Sequence, residues 1–181
     1  MQPTTPRRVL LVIDMQNDFI CGSLGTKEAE AIVGNVAEKI QEYAKSPDNK
    51  IVFTRDTHNA DDYLESNEGR HLPVEHCIKG TWGWQIADGL VPNLDQALAK
   101  IKIIDKGAFG YVGWVRENFE NAKIEIVGLC TDICVVSNAL IVKAQYPEND
   151  ISVDPRCCAG TTPEKHAETL SVLESCQIEI I

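Results

Sequence analysis

The chain has no internal repeat, no low-complexity segment and no apolar run long enough to cross a bilayer. Those absences argue against a repeat architecture and a membrane span. Residues 1–8 lead into a very short apolar stretch that Asp14 interrupts, which is neither a signal peptide nor a transmembrane segment. Positive charge is scarce: 17 Lys and Arg stand against 27 Asp and Glu, a formal net charge of −10. Nucleic acid and anionic membrane surfaces are therefore poor partners. Paired cysteine spacing is also missing. The seven cysteines are an odd count that fits neither a secreted disulfide framework nor a zinc ribbon, so reduced thiols in a cytoplasm are expected. What remains is an ordinary globular composition, 44% hydrophobic over 181 residues, enough for one domain with its own core.

The apolar runs are short and regularly spaced. Residues 9–13 form a continuous apolar stretch, the mark of a strand covered on both faces. Similar runs at 51–54, 101–104, 124–127, 151–153 and 177–181 make six strands. Between them, Ala31, Ile32, Val36, Ile40 and Tyr43 recur at helical spacing over residues 27–44. Residues 94–99 predict a helical turn, 113–119 a short helix, and 135–144 a helix with Thr131 and Asp132 as its N-caps. Pro163 opens a last helix through 174. Strands alternating with helices predict a three-layer α/β/α fold around a six-stranded, mostly parallel, Rossmann-like sheet. Residues 59–93 carry no sustained period, and so long a loop in a compact domain is usually functional.

In such a sheet, ligands bind beyond the carboxyl ends of the strands. Asp14, Asp56, Lys106 and Cys134 each lie just after one of the first four strands. Cys134 falls in the first turn of a helix, where unpaired N–H groups and the helix dipole favour a thiolate. Asp14 is placed to exchange the thiol proton, Lys106 to hold the field positive, and the N–H groups of Cys130 and Cys134 to receive an oxyanion. Each residue has a plainer alternative: a buried structural cysteine, a loop-capping aspartate, a surface ion pair. Asp56-x-His58, with Glu65, Glu68, His71 and His76 in the long loop, offers mixed oxygen and nitrogen ligands suited to zinc, iron or manganese. Its alternative is a set of surface histidines. Cys130 and Cys134 do not have the C-x-x-C redox spacing, and a redox pair would leave Asp14 and Lys106 without a role.

Asp14-Met15-Gln16-Asn17-Asp18-Phe19, the segment Lys106-Gly107-Ala108, and Gly128-Leu129-Cys130-Thr131-Asp132-Ile133-Cys134 together resemble the isochorismatase-like cysteine hydrolases over nearly the whole chain. The nicotinamidase/pyrazinamidase branch is the most similar. The resemblance implies a single hydrolase domain over 1–181 with a metal-bearing lid loop at about 56–93. It implies a catalytic triad of Asp14, Lys106 and Cys134, and an oxyanion hole at Cys130 and Cys134. A divalent metal, zinc first, with iron or manganese as alternatives, would be held by Asp56, His58, His76 and Glu68, Glu65 being the reserve. Phe19 and Leu129 are expected against the substrate, with Trp82 or Trp84 assisting. A cis peptide is expected between Cys130 and Thr131. The implied reaction is hydrolysis of nicotinamide to nicotinate and ammonia through a cysteine thioester, within pyridine nucleotide salvage. The alternative is a related amidase acting on another small amide or carbamoyl compound. The resemblance also implies a homo-oligomer.

Overall fold

The computed structural model describes residues 7–92 and 97–181. Its strands are β1 (Arg8–Ile13), β2 (Asn49–Asp56), β3 (Lys100–Lys106), β4 (Lys123–Leu129), β5 (Ile151–Ala159) and β6 (Glu179–Ile180). They form one sheet in the order β3-β2-β1-β4-β5-β6, every pair parallel. The expected six-stranded α/β architecture is present, and the sheet is wholly rather than mostly parallel. The helices are α1 (Asn17–Ile20), α2 (Lys27–Ala44), α3 (Asn67–His71), α4 (Val136–Gln145) and α5 (Pro163–Ser175).

Period-2 alternation divides the sheet between two layers. Leu10, Val12, Ile51, Phe53, Val127 and Leu129 face α2, whose Ala29, Ile32, Val36, Ile40 and Tyr43 form its apolar stripe. Val9, Leu11, Ile13, Val52, Ile124, Ile126 and Val153 face α4 and α5 on the other side. The five residues Val9 to Ile13 are wholly buried, as a strand covered on both faces requires. The hydroxyl of Thr26 accepts the Ala29 N–H at 3.0 Å to start α2, and Thr162 does the same for Lys165 at 3.2 Å at α5.

Three local expectations need correction. The turn expected over 94–99 lies partly outside the described residues, and residues 1–6 lie wholly outside them. The helix expected at 113–119 is a 3-10 turn, Val112–Glu117. Thr131 and Asp132 do not cap a helix. Thr131–Val135 is a wide π turn leading into α4, because those two side chains bond α5 and its lead-in instead. Thr131 Oγ1 lies 2.8 Å from His166 Nδ1, and the Asp132 carboxylate accepts the N–H and hydroxyl of Thr161. Finally, the cis peptide joins Leu129 to Cys130, at the boundary between the last strand residue and the turn, one bond earlier than expected.

The sheet's switch point lies between β1 and β4, where connections depart in opposite directions. Gly128 pairs with Ile13 there at a φ of +121°, and any Cβ would collide with the Ile13 carbonyl. Only glycine permits that approach. Asp14, at a φ of +46°, turns the chain out of the sheet at the same level.

Candidate active site

Asp14, Lys106 and Cys134 converge above this switch point, each nearly or wholly buried. Lys106 is the hub. Its Nζ lies 2.6 Å from Asp14 Oδ2, an ion contact too oblique for an aligned hydrogen bond, and 3.6 Å from Cys134 Sγ. It donates to the Ala108 carbonyl at 3.1 Å and reaches Asp56 Oδ1 at 3.4 Å. The other Asp14 oxygen accepts the Thr54 hydroxyl at 2.6 Å.

The electrostatics differ from the expectation that helix position and Lys106 make the thiol acidic. Burial pushes the Cys134 thiol well above its ordinary value, and the Asp14 charge adds to this. Lys106 opposes the shift without reversing it. Burial likewise raises the Asp14 carboxyl, against the pull of Lys106. Lys106 stays charged, because the anions around it outweigh its own burial. The resting cluster therefore holds a neutral thiol beside a carboxyl whose affinity for a proton is raised. That pairing suits transfer of the proton during attack.

The carbonyl of Cys130 accepts the N–H groups of Ile133 at 3.0 Å and Val135 at 3.1 Å. The intervening Cys134 amide takes no part in either bond.

Asp56, His58, Glu68 and His76 form the second cluster, with one donor atom from each all within 4.8 Å of one another. β2 delivers Asp56 and the residues beyond it deliver His58; α3 carries Glu68. His58 Nε2 lies 2.8 Å from Asp56 Oδ2 and 3.7 Å from Glu68 Oε1, while His76 Nε2 lies 3.6 and 3.5 Å from the same two atoms. Ligands about 2.1 Å from one metal stand roughly 3.0–3.4 Å apart in octahedral or tetrahedral geometry. The donor set therefore fits a divalent cation. Its charge agrees: burial works against protonation of His76, yet the facing carboxylates of Asp56 and Glu68 raise its pKa to about 10. A buried and a half-buried carboxylate facing each other favour a positive partner, and a metal supplies it in place of a proton. His76 Nδ1 is engaged by the Val74 carbonyl at 2.9 Å, which turns Nε2 inward. Glu65 is exposed and outside the cluster. His71 lies on the cavity wall with Nδ1 on the Asn67 carbonyl.

Both clusters reach one cavity of about 840 Å³, the second with all four members on its wall and the first through Cys134, with Asp14 and Lys106 behind it. Phe19 lines it, its ring centroid 5.5 Å from that of His76. Leu129 does not, in contrast to the expectation. It is wholly buried beneath α2 because strand alternation turns it to that face, and Cys130 and Ile133 form the wall instead. Trp82 and Trp84 are also off the wall. Trp82 is exposed, and Trp84 is held by the Thr57 hydroxyl and stacked under Arg55.

Two contributors escaped the sequence reading. Thr54 reads as one more β-branched strand residue. Asn138, wholly buried, donates to the carbonyls of Cys134 and Phe109 and accepts from the Tyr111 N–H and Trp114 Nε1. It thereby ties the Cys134 turn to the loop after Lys106. Its only signal is an amide inside an apolar helix. Cys157 and Cys158 are buried on opposite faces of the sheet, Cys176 is half-buried and Cys21 is exposed.

The sequence profile of the isochorismatase domain matches residues 8–181. The chain is 30% identical to a nicotinamidase of Saccharomyces cerevisiae, over 92% of this chain and 99% of that protein. It is similar in structure to a nicotinamidase/pyrazinamidase of Bacillus subtilis, with a TM-score of 0.81 and 25% identity over 96% of this chain and 98% of that one. A pyrazinamidase of Pyrococcus horikoshii in complex with zinc superposes with a TM-score of 0.77 and 26% identity, over 97% and 99% of the two chains.

Proposed function

This chain belongs to the isochorismatase family, close to its nicotinamidase/pyrazinamidase branch, as a hydrolase of amide bonds, and from that premise we propose that it converts nicotinamide to nicotinate and ammonia through a thioester on Cys134. One observation carries this reading: a buried Asp14–Lys106–Cys134 cluster shares a cavity with a four-ligand cluster suited to a metal.

Asp56, His58, Glu68 and His76 would hold the metal, zinc by preference, and when bound it supplies a Lewis-acidic anchor for the nitrogen of a heteroaromatic ring. Phe19 packs against the ring. As Cys134 Sγ attacks the carboxamide carbon, its proton passes to Asp14. The Cys134 and Cys130 amides receive the developing oxyanion. Asp14 then returns the proton to the amide nitrogen, the C–N bond breaks and ammonia leaves. A water, deprotonated by Asp14, attacks the thioester carbon; the C–S bond breaks and Sγ recovers the proton. Lys106 balances Asp14 throughout and keeps the charge of each step compensated. The chain acts as one domain whose loop at about 56–93 bears the metal ligands. Free thiols at all seven cysteines support a reducing, cytoplasmic setting. A homo-oligomer belongs to the same reading, by analogy with the family.

The cavity size favours a second reading, a related amidase acting on a larger amide or a carbamoyl compound. The volume lies toward the upper end of the roughly 300–1,000 Å³ typical of small-molecule sites. Ammonia release measured over nicotinamide, pyrazinamide and several carbamoyl compounds separates the two. Cys134→Ala is expected to abolish release from the preferred substrate while thermal unfolding stays close to that of the parent. Retained turnover would remove the nucleophile assignment.

A further inference from the structure

Gln16, in the turn after β1, and Asp18, in α1, follow Asp14 in the chain, and neither lies on the cavity wall. Gln16 is wholly buried, and its carboxamide is fully engaged. It accepts the Asp56 N–H at 2.7 Å and donates to the carbonyls of Asp56 at 2.8 Å and Trp84 at 2.9 Å. β1 pairs with β2 only as far as Val12 opposite Phe53. Beyond that point Asp56 has lost its strand neighbour on the β1 side. A carboxamide carries the donor and acceptor of a peptide group, and Gln16 takes the neighbour's place.

Asp18 holds a different part of the same cluster. Its carboxylate accepts the Cys77 N–H at 2.7 Å and the Ser23 N–H at 3.3 Å. Cys77 directly follows His76 and has a φ of +47°, a conformation that non-glycine residues adopt rarely and at a cost. The carbonyl of Cys77 accepts the His58 N–H at 3.0 Å. Asp18 thus anchors a residue that is chain neighbour to one ligand and backbone partner of another. Space is reserved for it, since a Cβ on Gly22 or Gly83 would collide with its carboxylate.

We propose that Gln16 and Asp18 are positioning residues for the metal cluster, an assignment that rests on the metal reading of the four ligands above. Gln16 sets Asp56, and Asp18, through Cys77, sets His76 and His58. The segment that presents Asp14 to the thiol thereby also fixes where the ring anchor stands relative to it. Partners behind the ligands restrict the donor atoms to a binding arrangement, and their loss typically costs about 10–100-fold in metal affinity.

The test titrates the metal-free full-length chain with Zn²⁺ against a chromophoric chelator, and records the visible absorption of the Co²⁺-loaded form. Asp18→Ala is expected to weaken Zn²⁺ binding by about 10–100-fold and to alter the Co²⁺ bands. Asp18→Asn keeps an acceptor for the Cys77 amide and stays near the parent. Gln16→Glu keeps the acceptor for Asp56 but loses both donors, so it weakens binding as Asp18→Ala does. Thermal unfolding of the metal-free variants isolates a purely structural role. Lower melting temperatures with parent-like Zn²⁺ affinity and Co²⁺ spectra in Asp18→Ala and Gln16→Glu overturn the assignment. Should Asp18→Ala not fold, Asp18→Ser and Gln16→Glu decide it. A parent chain that binds neither metal overturns the metal reading itself, and the positioning role with it.

Discussion

Thr54 both donates to Asp14 Oδ1 and accepts the Asp14 N–H at 3.1 Å, so one hydroxyl fixes the carboxylate and its backbone. The bond favours the charged carboxylate and works against the burial that raises its pKa. In the proposed reaction Asp14 must be ionised to take the thiol proton. Thr54→Val keeps the shape and removes the hydroxyl, so the Asp14 pKa rises further. Activity lost on acidification is then lost at higher pH. The expected outcome is an acid limb of the kcat/KM profile displaced upward. Loss of a hydrogen bond to a charged group, about 1.5–3 kcal/mol, corresponds to roughly a 10–100-fold lower kcat/KM on that limb. An unmoved limb would show that Asp14 ionisation does not govern the rate. The strand-end members of the two clusters, Asp14, Asp56, Lys106 and Cys134, were legible because strand ends advertise themselves as polar residues after apolar runs. Their protonation was not, since burial and mutual charge outweigh the local helix effect on Cys134.

Among the elements, α4 combines a structural and a positioning duty through Asn138. Four groups depend on that amide, from the Cys134 carbonyl to the indole of Trp114. Asn138→Leu fills similar volume but strands all four in a dry interior. With about 1–3 kcal/mol for each unsatisfied buried group, the expected loss is on the order of 4 kcal/mol or more, enough to unfold many domains. Urea unfolding measures it; a midpoint near that of the parent would mean that water or repacking replaces the amide. The middle of β5 carries a comparable knot. After Val153 the strand slips register against β4, and the Asp154 carboxylate, with no exposed surface, accepts three hydrogen bonds from Arg156 and pairs with Lys39 at 2.9 Å. β5 was read from its first three residues only. Asp154 and Pro155 break the apolar pattern, and the remaining strand exists because these side-chain bonds cover the slip.

That knot contributes to the stability of the whole molecule toward acid. Burial raises the Asp154 carboxyl, but bonds from Arg156 and Lys39 more than reverse this and hold it at about 2, below the usual 3.8. A depressed carboxyl stabilises the fold above its unfolded value, and the contribution is lost as pH falls toward the folded one. Asp154→Asn is therefore expected to lower the melting temperature near neutrality and to flatten its decline between about pH 4 and 2. Parallel melting curves for variant and parent across that range would contradict this. On the same scale, the sequence alone determined the layer order, because uninterrupted apolar runs must be covered on both faces and βαβ units force parallel pairing. It also determined which residues stand at the carboxyl edge of the sheet: Asp14, Asp56, Lys106 and Cys134. Only the tertiary structure decided that Glu68 joins the cluster suited to a metal while Glu65 stays exposed, since α3 turns one inward and a 3-10 turn at Tyr63–Glu65 leaves the other outside. Tertiary packing also buried Leu129 rather than placing it on the cavity wall, drew Thr131 and Asp132 to α5 and its lead-in, and raised the Cys134 thiol. The first set follows from periodicity along the chain. The second depends on which groups meet across it and how much water they exclude, and no local pattern encodes that.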